Sequence, residues 1–592
     1  MIKNQRTFLR RRGYGLLAAA AALCLLMTAC RFGQESGAPS APPRQDREPA
    51  AQIDDVQVKD KASAYADDDD DSIVTMYLTV RRGNSADNTD HSWSEVNDHS
   101  TYFYDEKGIS RYGVEGILQV GDEAGPSPDQ IGYGLNIPNA TVQVRGKTSS
   151  QAEQKSFKIK IKSGAGSWRN QKTIALNKHP YDSTRIRNKL SYDLIKTVPG
   201  MIGLRTQFVH LYVKDQTESG SARAKFVDYG LYTQVEQPNK RFLRNHGLDE
   251  YGQLYKASMF EFFRYPDALK LADDPAYDLA AFEEVLEIKG SDDHQKLLTM
   301  LDDLNNYSLP TEEVFAKYFD EENYFTWLAF QMLTGNTDTT SQNFLLYSPQ
   351  NSRKWYFISW DNDGAWSSGE DRLFKGLSGY HYEKGVSNYW GSVLHRRVLK
   401  SPELRKKLDD KIQEIRALIT ESTVAAKVRE YQKVTQPYLY AMPDAMYEVY
   451  DAKRYERVLN TLGQEVEINY QMYLTSLERP LPFFLDAITV EKDAVRFQWD
   501  VSFDFDDEAL SYTFELAKEY TFKTTLYKQE NLKLPQAQTG RLAPGQYFMR
   551  VSVRNASGQT QTAQEYYEDQ NGVRHYGVRC FYILPDGTLG EG

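Results

Sequence analysis

Three cysteines in 592 residues are too few for a disulfide framework or a cysteine-built zinc centre, and two of them, Cys24 and Cys30, fall within the first thirty positions. Excess positive charge is also missing. Lys plus Arg at 71 against Asp plus Glu at 82 leaves a formal charge of −11, which argues against a general nucleic-acid binder that must neutralise phosphates. The apolar run Leu16–Met27 is shorter than the roughly 20 residues a membrane-spanning helix needs. Three catalytic signatures are absent: His-Glu-x-x-His, Gly-x-Ser-x-Gly and Gly-x-Gly-x-x-Gly, so zincin, hydrolase-elbow and dinucleotide readings fall away. Gly146-Lys147-Thr148 imitates the end of a phosphate-binding loop, but position 141 is Thr where that pattern needs Gly. A strand-like run, Ser156–Ile161, follows it instead of a helix, so backbone amides would not converge on an anion.

What is present is a chain that can bury cores: 40 % hydrophobic, 13 % aromatic, with 40 tyrosines, and long enough for two or three units. The N-terminus reads QRTFLRRR, then LLAAAAALCLLM, a cationic and an apolar segment of signal-peptide proportions over residues 1–29. Its end, Met27-Thr28-Ala29-Cys30, resembles the lipobox of bacterial lipoproteins, which implies a diacylated Cys30, attachment to a membrane and an extracytoplasmic location in the cell envelope. Residues 30–72 are polar and Pro/Ser/Gly-rich, read as a disordered tether. The tether closes on five carboxylates, Asp67 to Asp71, expected as a solvated linker, since a calcium loop would interleave glycine and backbone oxygens.

The expected fold class is α+β. Residues 73–480 form one domain, strand-rich to about 273 and helical after it, and residues 481–592 switch to short alternating runs that predict a β-sandwich. That last segment resembles fibronectin type III-like modules, in Trp499, Tyr512 and the run Leu542-Ala543-Pro544-Gly545-Gln546-Tyr547. Cys580 sits in an apolar run there and is expected as a core residue. The segment is expected to be dispensable for nucleotide binding.

The segment Leu333–Trp366 carries the chemistry. Asp338 precedes Asn343 by five residues; two apolar strands, Phe344–Tyr347 and Trp355–Ile358, flank a turn; Asp361 and Asp363 follow. This order is that of the catalytic half of the protein-kinase template. In it Asp338 would accept the proton of an acceptor hydroxyl, and Asn343 and Asp361 would offer hard oxygens to magnesium on the phosphates. Asp and Asn acting only as turn caps is the plain alternative.

Five blocks in order, RGKTSS with KSFKIKI, RIRNKLSYDL, YGLYTQVEQPNKRFL, GNTDTTSQNFLLY and WYFISWDND, resemble the CotH-type spore-coat protein kinases over roughly residues 140–366. The resemblance implies an atypical protein-kinase-like two-lobed domain, use of ATP and magnesium, and phosphoryl transfer to Ser or Thr of a surface or secreted protein. It implies Asp338 as the catalytic Asp, and Asn343, Asp361 and Asp363 as the metal-binding set. Cofactor-binding candidates are Lys158 and Lys160, which alternation places on one strand face, Arg187 on the following helix, and Glu236 at a hinge where backbone groups of 235–237 would meet adenine. The helix offers no Glu for the usual Lys–Glu pair. Two other functions stay open: a surface adhesion module on a silent fold, and another nucleotide-dependent transfer of AMP or an amino acid.

Overall fold

Alternation of apolar and polar side chains marks two runs in the first part of the chain, Ala140–Arg145 and Ser156–Ile161, while the runs around them bury consecutive residues. The structure, a computed structural model, describes residues 58–218, 223–374, 384–448, 450–570 and 573–591. Cys30, the signal-peptide reading and most of the tether therefore lie outside the described residues. β1 (Ile73–Arg81), β2 (Val114–Asp122), β3 (Gly125–Pro126), β4 (Ala140–Arg145), β5 (Ser156–Ile161), β6 (Thr173–Asn177), β7 (Thr206–Asp215) and β8 (Val227–Glu236) form one sheet in the order β1-β7-β8-β6-β5-β4-β2-β3. Because β1 pairs parallel with β7 and antiparallel with β2, the sheet closes on itself. Leu78, Val142, Ile159, Leu176 and Leu211 pack together in its core.

On β4 that core takes Ala140, Val142 and Val144, which turns Thr141, Gln143 and Arg145 to the other face. The register continues this face across β5, with Arg145 opposite Ser156, Gln143 opposite Lys158 and Thr141 opposite Lys160. Ile186, Leu190 and Leu194 at helical spacing predict a helix over 183–195, and helix α1 (Arg187–Ile195) starts four residues later. The Asp182 carboxylate accepts from the N–H groups of Thr184 (2.8 Å) and Arg187 (3.0 Å), and Arg185 takes a left-handed φ of 60°, so residues 182–186 form a turn.

A second sheet joins β9 (Gln253–Ala257), β10 (Leu286–Ile288), β11 (Phe344–Ser348) and β12 (Tyr356–Ser359) in the order β10-β9-β11-β12. The amphipathic pattern over 312–333 predicts one helix, and the structure forms two, Thr311–Tyr318 and α2 (Glu321–Leu333). Between them Asp320 accepts from the Asn323 N–H at 2.9 Å and caps the second. No helix among the described residues is long and apolar enough to cross a membrane.

The acidic run is not a free linker. Asp60 bonds His246 Nδ1 (2.6 Å) and the Gly203 N–H (3.0 Å), Asp68 pairs with Lys196 (2.5 Å) and Asp70 with Lys427 (3.2 Å). Electrostatic neutralisation of partly buried lysines holds these residues against the domain, so ordered chain precedes Ile73. In the C-terminal region a three-stranded and a six-stranded sheet share a core of Phe497, Trp499, Phe514, Met549 and Phe581. Cys580 is buried in a smaller cluster with Phe548 and Val578. This region is packed on the helices: Phe503 meets Trp390 at 5.3 Å, and the Arg405 guanidinium lies 4.6 Å from the Phe505 ring.

Candidate active site

Helix α2 ends at Thr334 and Gly335 (φ 67°), where the left-handed turn releases the chain into the loop of Asp338. Asn336 organises that loop. Its side chain caps the Asp338 N–H (3.4 Å) while its Nδ2 donates to Gln331 Oε1 (3.0 Å) and Asn362 Oδ1 (3.2 Å), joining the loop to the segment of Asp361. Thr339 Oγ1 meets the Tyr389 hydroxyl at 2.9 Å, and Thr340 Oγ1 donates to the Asn388 carbonyl at 2.9 Å. Asp338 itself is exposed. Its Oδ2 accepts from Asn343 Nδ2 at 2.7 Å and its Oδ1 from Gln342 Nε2 at 2.5 Å.

The hairpin of β11 and β12 then brings the second carboxylate back. Phe344 pairs with Ser359, and the Trp360 N–H donates to the Asn343 carbonyl at 3.2 Å, so Asn343 and Asp361 flank the open end of one hairpin. Both adopt the left-handed region, with φ of 60° and 53°. Such conformations cost about 1–2 kcal/mol each outside glycine and persist where surrounding contacts enforce them. For Asp361 the contacts come from α1: the Asp361 N–H donates to the Tyr192 hydroxyl (3.0 Å), the Asn362 N–H to Asn188 Oδ1 (3.0 Å) and Trp366 Nε1 to Ser191 Oγ (2.9 Å).

Burial and the neighbouring Asp363 push the Asp361 carboxyl up to about 6, against Arg145, His179 and Lys256, which favour its charge. His179 Nδ1 stands 3.6 Å from Asp363 Oδ2. The opposing sheet face has a surplus of the other sign. Burial, then Lys289, Lys160 and Arg111, lowers the Lys158 ammonium, and burial lowers the Arg145 guanidinium despite Asp361. On each side a like charge opposes the group beside it, Asp363 against Asp361, and Lys289, Lys160 and Arg111 against Lys158.

Asp338, Asn343, Asp361 and Asp363 are thus brought together, and Lys158 and Lys160 lie on the sheet face that also bears Arg145. The structure does not bring Arg187 or Glu236 to this place. Arg187 is buried against Asp182 (3.4 Å) and Glu370, and Glu236 against Arg205 and His246 (3.0 Å). Arg205 and His246 overcome burial to hold the Glu236 carboxyl down to about 2. Sequence reasoning missed Arg145, Lys256, His179 and the α1 triad Asn188, Ser191 and Tyr192. Arg145 alone had a signal, since it ends an alternating strand on its polar side.

Among the described residues no group of three or more His, Cys, Asp and Glu forms a complete metal site. The donors nevertheless fit a divalent cation shared with phosphates: the neighbouring carboxylates of Asp361 and Asp363, and an Asn343 amide whose Nδ2 is committed to Asp338 while its oxygen is left to accept. A hollow of about 670 Å³ lies elsewhere, lined by Tyr251, Tyr277, Leu279, Ile288 and Asp292.

Comparison with protein-family models matches residues 142–473, more than half the chain, to the family described as CotH kinase protein. The crystal structure of the Helicobacter pylori proinflammatory kinase CtkA is similar at 10 % identity, covering 54 % of this chain and 90 % of that one, with a TM-score of 0.25. No curated protein matches.

Proposed function

The chain belongs to the CotH kinase protein family, and from that premise we propose that it is an ATP-dependent protein kinase acting on Ser or Thr of a surface or secreted protein. It would be held at the cell envelope through a lipidated Cys30, with the C-terminal sheets as a fibronectin type III-like sandwich beside a two-lobed kinase-like domain. The observation that carries the reading is the hairpin that sets Asp338, bonded to Asn343, beside Asp361, with Arg145 and Lys256 acting on the same carboxylate.

Asp338 is the exposed base, and the amides of Gln342 and Asn343 orient its two oxygens. The acceptor hydroxyl oxygen forms a bond to the γ-phosphorus as the bond to the β,γ-bridging oxygen breaks; the hydroxyl proton passes to Asp338 and ADP leaves. Asp361, Asp363 and Asn343 would hold magnesium, which when bound offsets the negative charge of the phosphates. Arg145 and the Lys158–Lys160 face would meet the phosphates from the sheet side, a role the sequence pattern assigned to the lysines alone.

The test is incubation of the purified chain with magnesium, labelled ATP and extracts of surface proteins, followed by mass spectrometry of modified side chains. Phosphoserine or phosphothreonine is expected. Adenylyl adducts would replace phosphoryl transfer by AMP transfer, and absence of both transfer and magnesium-dependent ATP binding would leave the silent adhesion fold.

A further inference from the structure

Every residue of α1 from Arg187 to Ile195 is buried, so each polar side chain on it needs a partner. Those partners lie in two directions. Asn188, Ser191 and Tyr192 receive hydrogen bonds from the segment of Asp361. Lys189 and Asp193, one turn apart at 2.8 Å, together with Lys196 just beyond the helix, meet the N-terminal acidic run instead. Lys196 lies 2.5 Å from Asp68 and 3.5 Å from Asp70, and Asp70 also reaches Lys189 at 3.9 Å and Lys427 at 3.2 Å.

Charge counting shows what the run does. Lys189 is fully buried, Lys196 is 10 % and Lys427 26 % exposed, and Asp193, fully buried, offsets only one of them. Without the run, Asp193 on Lys189 and Glu430, 3.4 Å from Lys427, leave one of the three ammonium charges uncompensated against the side of α1. Asp68 and Asp70 supply that compensation, Asp68 at Lys196 and Asp70 within 4 Å of all three lysines. Uncompensated buried charge is strongly destabilising, which favours displacement of the element that bears it.

We propose that Asp68 and Asp70 are positioning residues: by neutralising the lysines on and beside α1 they fix the helix whose Asn188 and Tyr192 hold the backbone of Asp361. The consequence for catalysis rests on the kinase reading above, but the coupling to Asp361 does not. The raised Lys196 ammonium agrees, since burial would lower it and Asp193, Asp68 and Asp70 together outweigh that burial.

Hydrogen exchange on the full chain tests this without requiring turnover. In Asp68→Asn/Asp70→Asn the Asp361 and Asn362 amides should exchange about tenfold faster than in wild type, while amides of the C-terminal sheets such as Val551 keep their rate. Asp68→Glu/Asp70→Glu should restore protection. The magnesium concentration for half-maximal ATP binding should rise in parallel with the exchange rate. Unchanged exchange at 361–362 overturns the proposal, as does uniform acceleration across the molecule, which would mean a purely global loss of stability. If the double variant does not fold, Asp68→Asn alone carries the same measurement. Faster exchange at 361–362 in a chain whose wild type never binds ATP would uphold the positioning role and sink the kinase reading.

Discussion

Glu236 and Asp361 are both carboxylates drawn out of water, and their surroundings push them in opposite directions. Glu236 is met by Arg205 and His246 and falls to about 2; Asp361 is met by Asp363 and rises to about 6, and the charges of Arg145, His179 and Lys256 do not outweigh this. Desolvation acts on both alike, so the difference lies in whether the fold supplies a partner or withholds one. A supplied partner makes scaffold. A withheld one leaves a charge for a ligand to satisfy, which is why perturbed carboxylates of the second kind mark sites. Arg187 with Asp182 and Glu370 belongs to the first class, and Lys158, beside Lys160 and Arg111, to the second.

The largest expected effect lies within the second class and separates two roles in it. Asp338→Asn preserves shape and removes the base, so transfer should slow by about 10²–10⁴-fold with ATP affinity nearly unchanged. Asp361→Ala should instead abolish magnesium-dependent ATP binding. Calorimetry with magnesium and ATP beside a transfer assay reads the two independently; the reverse pattern would overturn the assignment of both carboxylates.

A structural effect comes next. Arg205→Ala leaves Glu236 buried beside His246 without its guanidinium partner, and breaking such a pair costs about 3–5 kcal/mol. Denaturant unfolding should show this loss while ATP affinity of the folded fraction is kept. A matched loss of affinity without loss of stability would place Glu236 in the nucleotide site after all and dissolve the distinction.

The same contrast explains what was legible in the sequence. Asp338, Asn343 and Asp361 were found because a loop and one hairpin unite them, and local spacing determines that geometry. β4 and β5 were found because alternation is local too. Arg187 and Glu236 were assigned to a cofactor because part of what neutralises each is remote: Glu370 is 183 residues from Arg187, and Arg205 is 31 from Glu236. Single-chain patterns reveal a charge without revealing its partner. The acidic run failed for that reason as well, since Lys196 and Lys427 lie 128 and 357 residues from the aspartates they meet. Tyr192 and Asn188 gave no signal at all, because on a wholly buried helix the face turned to Asp361 is not marked by polarity.

The smallest of these effects is a pH dependence confined to the scaffold class. His246 is held between Asp60 (2.6 Å) and Glu236 (3.0 Å), and their hydrogen bonds overcome burial to raise it to about 9. Between the unfolded value of about 6.5 and 9 the native state binds the extra proton, so this stabilisation is complete below about pH 6.5 and is lost as pH rises through 9. It amounts to about 3 kcal/mol. Lys178 and Lys296, both lowered to about 8 chiefly by burial, slope the other way, because above 8 the unfolded chain is the one that binds more protons. The readable quantity is therefore the difference between wild type and His246→Gln in denaturant unfolding at pH 6, 8 and 9.5. Wild type should exceed the variant most at pH 6, and the gap should close by pH 9.5. A gap independent of pH would show that His246 is held by packing against Phe242 and Tyr65 and not by its charge, which would remove the imidazolium from the class of partners the fold supplies.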